Sequence, residues 1–279
     1  MLRLAGPRLL DDRDIPAVRA LLDSDPVANC FVSARVEAVG LAPWRLGGEM
    51  WGYGGGRIEA ICFSGANLVP IGPADTAVRA FAERARRQGR RCSSIVGSVE
   101  TVRPLWDLLR PHWGAARDVR SDQPLLAISG PPATAPDPKV RRVRPEELDV
   151  IMPACVAMFT EEVGVSPLSV DGGAAYRARV RDLVEAGRSY ARIENGQVLY
   201  KAELGAVSRS ACQVQGVWVH PDRRGRGLGA AGTAAVVVDA LATTAPVVSL
   251  YVNDYNAPAR AAYRRVGFTQ VGSFMSVLF

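Results

Sequence analysis

Apolar residues recur along the chain with two spacings, one of three to four residues and one of two. The first places side chains on one face of a helix, and the second places them on one face of a strand. Over the first 130 residues these spacings predict helices at 11–23, 28–39, 76–88 and 99–109, the last ended by Pro111, and strands at 49–53, 58–63, 67–71, 93–96 and 124–129.

A proline-rich segment then interrupts the pattern. Residues 130–138 contain four prolines, which exclude a helix or a central strand. We therefore predict an N-terminal α/β domain at 1–130, a linker at 131–139 and a second domain at 140–279.

After the linker the pattern restarts in a similar order. Glu194-Asn195-Gly196 is a strong hairpin turn between two of the predicted strands. Together the halves predict an α/β chain of the α+β mixed-sheet kind, with helices flanking each sheet. The second half is predicted to contain helices at 145–162, 173–185, 230–241 and 257–266, strands at 140–143, 189–193, 197–205, 211–219 and 247–252, and a closing segment at 269–279.

Composition narrows the class of protein. Apolar content of 48% with 22% charged residues is ordinary for a folded, water-soluble chain. No apolar run is long enough to span a membrane, and the N-terminus lacks a signal peptide's apolar centre, so the cytoplasm is the expected location. Five scattered cysteines and two histidines offer no spacing typical of a disulfide framework or a metal site.

One stretch, residues 214–241, combines a predicted strand, a glycine-rich turn and a long alanine-rich helix. The first turn of a helix carries unpaired N–H groups and partial positive charge. Glycines at 225, 227 and 229 would let an anion approach those groups, and Arg223, Arg224 and Arg226 add full charges. The stretch therefore predicts a cradle for a phosphate or pyrophosphate.

Other anion-binding patterns fit this stretch less well. A P-loop needs a Gly-Lys-Ser/Thr run, and the two lysines, Lys139 and Lys201, lie elsewhere. A Rossmann fingerprint needs an acid at the end of the next strand, where Asn253 stands. The net charge of +6 is mild, and the Arg/Gly turn is short and runs into a helix. Nucleic acid is therefore not the expected partner.

The run at 224–229, Arg-Gly-Arg-Gly-Leu-Gly, fits the pattern Arg/Gln-x-x-Gly-x-Gly/Ala. A second block, Asn256-x-x-Ala-x-x-x-Tyr263 followed by Gly267-Phe268, comes later at a matching spacing. Over residues 140–279 these two blocks resemble the GNAT superfamily of acetyl-CoA-dependent N-acetyltransferases. The resemblance implies a splayed mixed sheet flanked by helices, acetyl-CoA as cosubstrate, an amine acceptor and no metal.

The resemblance also assigns roles to individual residues. Tyr263 would protonate the departing thiolate, and the strand before the loop would meet the pantetheine arm and the acetyl carbonyl through its backbone. The side chains of that strand are expected to be structural. The residues implied in cofactor binding are Val217, Trp218, Val219, Arg224, Gly225, Arg226, Gly227, Leu228, Gly229, Ala230 and Asn256.

The sequence points less clearly to the general base than to the general acid. Many relatives carry a glutamate on the strand before the loop, where this chain has Gln213 and Gln215. Glu203 on the preceding strand is the nearest candidate. Lys201 shares its face, so an ion pair on a solvated surface is the simpler reading of that pair. Glu161 and Glu162, at the end of a helix, are further candidates to line a substrate pocket.

The N-terminal half repeats the element order of the resemblance but has no arginine or second loop glycine at the equivalent turn, 68–76. It is expected to be a degenerate GNAT-like copy or an unrelated α/β domain. Two functions remain open. One is acetyl transfer to a primary amine of a small molecule or protein, by direct attack in a ternary complex. The other is a CoA-binding regulator with weak or no catalysis.

Overall fold

The structure, a computed structural model, describes residues 6–73, 75–169 and 171–279. The helices are α1 Ile15–Leu22, α2 Cys30–Val39, α3 Pro43–Leu46, α4 Asp75–Gln88, α5 Val99–Trp113, α6 Leu148–Val163, α7 Ala174–Glu185, α8 Leu228–Thr243 and α9 Ala257–Val266. The strands are β1 Arg8–Leu9, β2 Gly48–Tyr53, β3 Ala60–Gly65, β4 Asn67–Ile71, β5 Ser94–Ser98, β6 Asp118–Ile128, β7 Arg141–Arg142, β8 Ser189–Glu194, β9 Gln197–Val207, β10 Cys212–Val219, β11 Val248–Tyr251 and β12 Thr269–Leu278.

The chain divides into two compact units. Unit 1 contains residues 6–126, Tyr251–Tyr255 and Gln270–Phe279, and unit 2 contains Ala127–Leu250 and Asn256–Thr269. The C-terminal strand is therefore part of unit 1, where β12 pairs antiparallel with β5. The mixed α/β class predicted from the sequence is confirmed, because each unit contains antiparallel ladders and a parallel ladder: β4 with β5 in unit 1 and β10 with β11 in unit 2.

In unit 1 the strands follow the order β1-β2-β3-β4-β5-β12-β6. Both faces of this sheet are buried at β3, whose residues alternate between two apolar clusters. Ala60 and Cys62 join the apolar cluster formed with α4 and α5, whereas Ile61 and Phe63 join the cluster formed with α1 and α2. A strand covered on both sides reads as a continuous apolar run, which explains why Ile58–Phe63 was recognisable as a strand.

Helix α5 corrects one sequence expectation. Pro111 was expected to break the helix, but α5 continues to Trp113 and ends before Gly114. Proline removes one helical hydrogen bond, here to the carbonyl of Asp107. Both residues are exposed, so water can satisfy that carbonyl. The buried stripe of Leu105 and Leu109 meanwhile holds the helix against the sheet.

In unit 2 the strands follow the order β11-β10-β9-β8-β7. The hairpin of β8 and β9 turns at Asn195 and Gly196, both with positive φ, as the Asn-Gly pair predicts. A register shift beside Leu199 changes which face the later residues of β9 occupy. After it, Tyr200 contacts α8 through Thr233, whereas Lys201 and Glu203 lie on the side of α6 and α7.

The proline-rich segment 131–139 forms no helix or strand, as its prolines require. It is nevertheless anchored on unit 2. The Ala133 amide donates to Val266 and the Asp137 amide donates to Ala231, at 2.8 and 3.0 Å. The buried Asp137 carboxylate also accepts from Arg192 at 2.8 Å. These bonds fix the segment along the surface of unit 2.

Candidate active site

The glycine-rich loop connects β10 to α8 through one short 3₁₀ turn, Pro221–Arg223. Gly225 and Gly227 adopt left-handed conformations, with φ of 73° and 81°, which an L side chain adopts only at a cost. Gly227 caps α8 without a side-chain hydrogen bond to its first turn. The amide groups at the start of this 16-residue helix are therefore available to an anion.

The space over this loop is open. A Cβ built on Gly225 or Gly227 would have no heavy atom within 4 Å. The side chains of Arg223 and Arg226 are exposed beside it. Gly229 and Ala230 lie in the first turn of α8, and Ala230 is buried against the unit. The predicted cradle residues are thus brought together at one positively charged helix end.

Helix α8 packs unusually close to β9 just beyond the loop. A Cβ on Gly232 would lie 2.7 Å from the ring of Tyr200, a separation that real atoms do not adopt. The Tyr200 hydroxyl and Thr233 Oγ1 form a buried hydrogen bond of 3.1 Å. This close contact fixes the direction in which the N-terminus of α8 points.

Arg224, the first residue of the loop pattern, is engaged with α6. Its Nη2 donates to both carboxylate oxygens of Glu161, at 3.1 and 2.8 Å, and its Nε donates to the carbonyl of Val219 at 3.0 Å. The indole Nε1 of Trp218 donates to the same carboxylate at 3.1 Å. Arg224 and Glu161 are each about half exposed. Such a pair contributes roughly 1 kcal/mol or less, so a phosphate can replace it.

Strand β10 is interrupted in the middle. Gln215 pairs with Glu203 of β9, but the next pair is Trp218 with Lys201, so Gly216 and Val217 bulge outward. On the other side, the parallel ladder with β11 joins Cys212–Gln213 to Val248–Ser249. The stretch Val217–Val219 lies beyond that ladder, where the two strands have separated. No backbone pairing with β11 is described for this stretch, while the Trp218 side chain is buried in the core.

Beneath the bulge lies a buried ion pair that corrects a second expectation. Lys201 Nζ donates to Glu203 Oε2 at 3.0 Å, as their shared face predicted, but their side chains are only 0% and 9% exposed. The pair is not on a solvated surface. The reason is tertiary: α6 covers it, and a Cβ on Gly216 would lie 3.0 Å from both Lys201 Nζ and Met158 Cε.

The charges around Glu203 keep it ionised. Burial alone would raise the pKa of this carboxyl, but Lys201 and Arg179 outweigh burial, so the pKa lies below its ordinary value. Burial would likewise lower the pKa of Lys201, but Glu203 and Cys155 raise it. Arg179 Nη2 reaches Glu203 Oε1 at 3.3 Å. A carboxylate held by two cations is a weak proton acceptor.

Tyr263 and Asn256 lie on α9 in the positions predicted for them. The Asn256 side chain caps the helix by accepting from the Ala259 amide at 3.2 Å. Tyr263 is buried, with its ring edge-on to Phe268 at 6.0 Å. Burial, followed by the negative charge of Glu162, raises the pKa of its phenol. The hydroxyl has no hydrogen-bond partner among the described residues, so it can donate to a ligand.

The remaining polar candidates satisfy one another. Gln215 Nε2 donates to Gln213 Oε1 at 2.8 Å. His220 caps the turn after β10, and its Nε2 lies 3.0 Å from Gln197 Nε2. Within residues 6–73, 75–169 and 171–279, no cluster of three or more potential ligands could hold a metal ion. Nor does any helix in that same part of the chain have the length and apolar character to cross a membrane.

Sequence reasoning did not identify Arg179 as a site residue, nor the contact of Glu161 with Arg224. Both involve residues from α6 or α7 that meet β9 and the loop only in the folded chain. Their local sequences resemble any solvated helical face, so no spacing or motif marks them.

Comparison with protein families agrees with this geometry. Residues 171–268 match the model of the acetyltransferase (GNAT) family, and residues 48–151 match a domain of unknown function, DUF4081. We found no match for the chain among curated proteins.

Solved structures resemble the chain along nearly its whole length. A GNAT-family acetyltransferase from Colwellia psychrerythraea gives a TM-score of 0.58, covering 99% of this chain and 100% of its own, at 12% identity. A Drosophila protein gives 0.66 over 98% of both chains at 14% identity. A tandem GNAT protein from the clavulanic acid biosynthesis pathway gives 0.55 over 98% and 97% at 15% identity.

At these identities the structural likeness establishes the fold alone. The relationship of residues 171–268 to the acetyltransferase family rests on the match to the family model. Residues 171–268 therefore match the GNAT acetyltransferase family, and the mixed α/β fold resembles that of solved GNAT structures along most of the chain.

Proposed function

We propose that the protein is an N-acetyltransferase that moves an acetyl group from acetyl-CoA to a primary amine of a small molecule or protein. The observation that carries this proposal is the juxtaposition of two features in unit 2. The N-terminus of α8, which has no side-chain cap, follows one loop after a bulged strand, β10, for whose last residues no pairing with β11 is described. One feature suits a pyrophosphate, and the other offers free backbone to a pantetheine arm.

The loop residues would hold the pyrophosphate. Gly225 and Gly227 leave open space above the first turn of α8, where backbone amides can donate to phosphate oxygens. Arg226, which has no ion-pair partner among the described residues, would add its charge, and Arg224 would exchange Glu161 for phosphate. The backbone of Val217–Val219 would donate to the pantetheine arm and to the acetyl carbonyl, whose negative charge grows as the amine attacks. Asn256 would contact the pantetheine while it caps α9.

Tyr263 would act as the general acid. The phenol is protonated at neutral pH even at its ordinary pKa, which burial raises further, and its hydroxyl is not engaged by a described residue. Protonating the thiolate as it departs removes the charge that would otherwise develop on sulfur. Glu203 would act as the base, taking a proton from the acceptor's ammonium, directly or through water, so that the free amine can attack the acetyl carbonyl. Lys201 and Arg179 keep Glu203 ionised but lower its basicity. Glu203 can therefore act as the base only if the bound amine displaces part of its contact with these two cations.

The second candidate function is a CoA-binding regulator with weak or no catalysis. Two observations favour it: β10 carries bonded glutamines where a carboxylate was expected, and Glu203 is restrained by Lys201 and Arg179. In that case unit 2 would bind acetyl-CoA, but turnover of amines would be slow and insensitive to Glu203.

For the N-terminal half we propose a degenerate GNAT-like copy at 1–130, preceding the linker at 131–139 and the acetyltransferase domain at 140–279. The order strand, two helices, three strands, helix, strand, helix, strand occurs from β1 to β6 with α3 as an insertion, and again from β7 to β12. The parallel pair β4 and β5 corresponds to β10 and β11. Superposition of 6–130 on 140–279 tests this: failure of the corresponding strands to align would reject a common origin.

Calorimetric titration with acetyl-CoA, followed by a screen of amines with detection of released thiol, tests the proposed function. We expect binding, and turnover of at least one amine that falls in Glu203→Gln and Tyr263→Phe without loss of acetyl-CoA affinity. Binding with turnover unchanged in both variants would refute the catalytic roles. Binding without turnover would support the regulator, and an absence of binding would refute both functions.

A further inference from the structure

The guanidinium of Arg179 occupies an unusual place on α7. It lies at the opening of the buried Lys201–Glu203 pair and makes one contact with it, at 3.3 Å. The Arg179 side chain is 53% exposed. A long, single contact of this kind stabilises a folded protein very little. Glu203 already has a cation in Lys201, so a second cation beside it is more than charge balance requires.

Most of the hydrogen-bonding capacity of Arg179 is unused. Among the described residues the guanidinium donates to Glu203 alone, which occupies one of its roughly five N–H donors. Acidic side chains on the elements packed against α7 have other partners: Asp149 pairs with Arg177, Glu161 with Arg224, and Asp171 accepts from amides at the start of α7. Asp182, one turn further along α7, is exposed.

The guanidinium of Arg179 lies close to the bulge of β10. Gly216 lies directly over the pair, since a Cβ there would lie 3.0 Å from Lys201 Nζ and 3.2 Å from Glu203 Cδ. Glu203 therefore lies between the bulge of β10 and the guanidinium of Arg179. An amine placed at the bulge would therefore have, one side chain away, a half-exposed guanidinium whose remaining N–H donors have no partner among the described residues.

We propose that Arg179 is a specificity-determining residue that binds an anionic group of the acceptor, so that the substrate is an amine carrying a carboxylate or similar anion a few bonds from its nitrogen. This inference rests on the acetyl transfer proposed above. Lys201, Glu203 and Arg179 together carry one net positive charge, which an amino acid's carboxylate would neutralise. The planar fork of a guanidinium matches a carboxylate in two parallel hydrogen bonds. A polyamine would instead bring further positive charge to the same place, at a cost.

Matched acceptor pairs test this inference. Each pair keeps the amine and removes the anion: amino acids with their amides, lysine with cadaverine, and phosphoethanolamine with ethanolamine. Acetyl-CoA and the full-length protein are used, with thiol release and the mass of the acetylated product as readouts. The amino acid and phosphate arms distinguish a carboxylate from a phosphate as the recognised group.

We expect an anionic member to be used with a kcat/KM roughly ten- to a hundredfold above that of its neutral partner. Arg179→Gln should remove this preference by raising KM for the anionic member, and Arg179→Lys should restore only part of it. Arg177→Gln is the matched control, because Arg177 lies on the same helix but pairs with Asp149. It should leave the preference unchanged.

Other results would overturn the inference. Equal or better use of the neutral members, turnover of neither member in any pair, or a preference that survives in Arg179→Gln would each reject anion recognition by Arg179. Acetyl-CoA binding, measured separately in all variants, distinguishes these outcomes from failure of the proposed function. If acetyl-CoA does not bind even the wild-type protein, then the acetyl transfer itself is refuted and the inference with it.

Discussion

Lys201 and Glu203 stand two residues apart on β9, and their charged groups meet at 3.0 Å inside unit 2. The lysine is fully buried and the carboxylate almost so. Each charge is tolerated there because the other compensates it, since transfer of a single ion from water to a protein interior is very costly. This pair therefore links the stability of the unit to the surroundings of the candidate base.

Removing one member of the Lys201–Glu203 pair should destabilise the fold far more than removing both. We expect Lys201→Met to lower the free energy of unfolding by up to about 3–5 kcal/mol, because Glu203 loses its buried cation and keeps only the 3.3 Å contact with the half-exposed Arg179. The double variant Lys201→Met/Glu203→Leu should recover most of that loss. Urea denaturation followed by circular dichroism measures both. A Lys201→Met variant as stable as the wild type would contradict a buried ion pair.

Acid sensitivity should arise partly at the start of α6. Hydrogen bonds from Arg141, opposed by burial and aided by Arg144, lower the pKa of Glu147 to about 2 from an ordinary 4.5. Because the folded-state pKa is depressed, its stabilising contribution is present above the ordinary value and is lost as the pH falls from about 4.5 towards 2.

The urea midpoints of the wild type and Glu147→Gln should therefore differ at neutral pH and converge as the pH falls through this range. Glu146→Gln is the control, since that neighbouring carboxylate is mostly exposed. A difference that is constant across the acid range would show that the ionisation of Glu147 does not contribute.

Substitution by alanine should have different effects on stability at Gly227 and at Gly229. Gly227 has a φ of 81°, so Gly227→Ala should cost roughly 1–2 kcal/mol of backbone strain and weaken acetyl-CoA binding. Gly229 lies within α8, where a Cβ would sit 3.6 Å from Val219 in ordinary contact. Gly229→Ala should leave stability unchanged or raise it by up to about 1 kcal/mol. Thermal melting and acetyl-CoA titration check both; equal effects would contradict the loop geometry.

Loss of the Tyr263 hydroxyl should affect chemistry rather than folding. We expect Tyr263→Phe to lower kcat about a hundredfold or more, as for other lost general acids, with little change in acetyl-CoA affinity. The fold should persist because the buried ring still contacts Phe268. Tyr200→Phe is the contrasting variant, because its hydroxyl bonds to Thr233 in the core and its loss should lower the melting temperature instead. Steady-state kinetics and melting curves separate the two.

Local sequence patterns were sufficient for most elements of the fold. Helix α9 and strand β4 begin and end at the predicted residues, because Asn256 is a good cap and 67–71 is a bounded apolar run. The four-residue α3 was missed, since a single turn has too few residues to show a period. The continuation of α5 past Pro111 was missed because packing on the opposite face overrides the loss of one hydrogen bond.

The sequence by itself determined the glycine-rich loop, the helix that follows it, the second block from Asn256 to Tyr263 and the GNAT relationship of the C-terminal half. Each is written in consecutive residues whose backbone preferences act locally. Only the tertiary structure decided that Lys201 and Glu203 are buried, that Arg224 pairs with Glu161 and that Arg179 lies beside Glu203. Those contacts join residues 24 to 63 positions apart or depend on a helix covering a strand. Burial, and the pairing of charges that lie far apart in the sequence, are properties of the packed chain, and no local spacing encodes them.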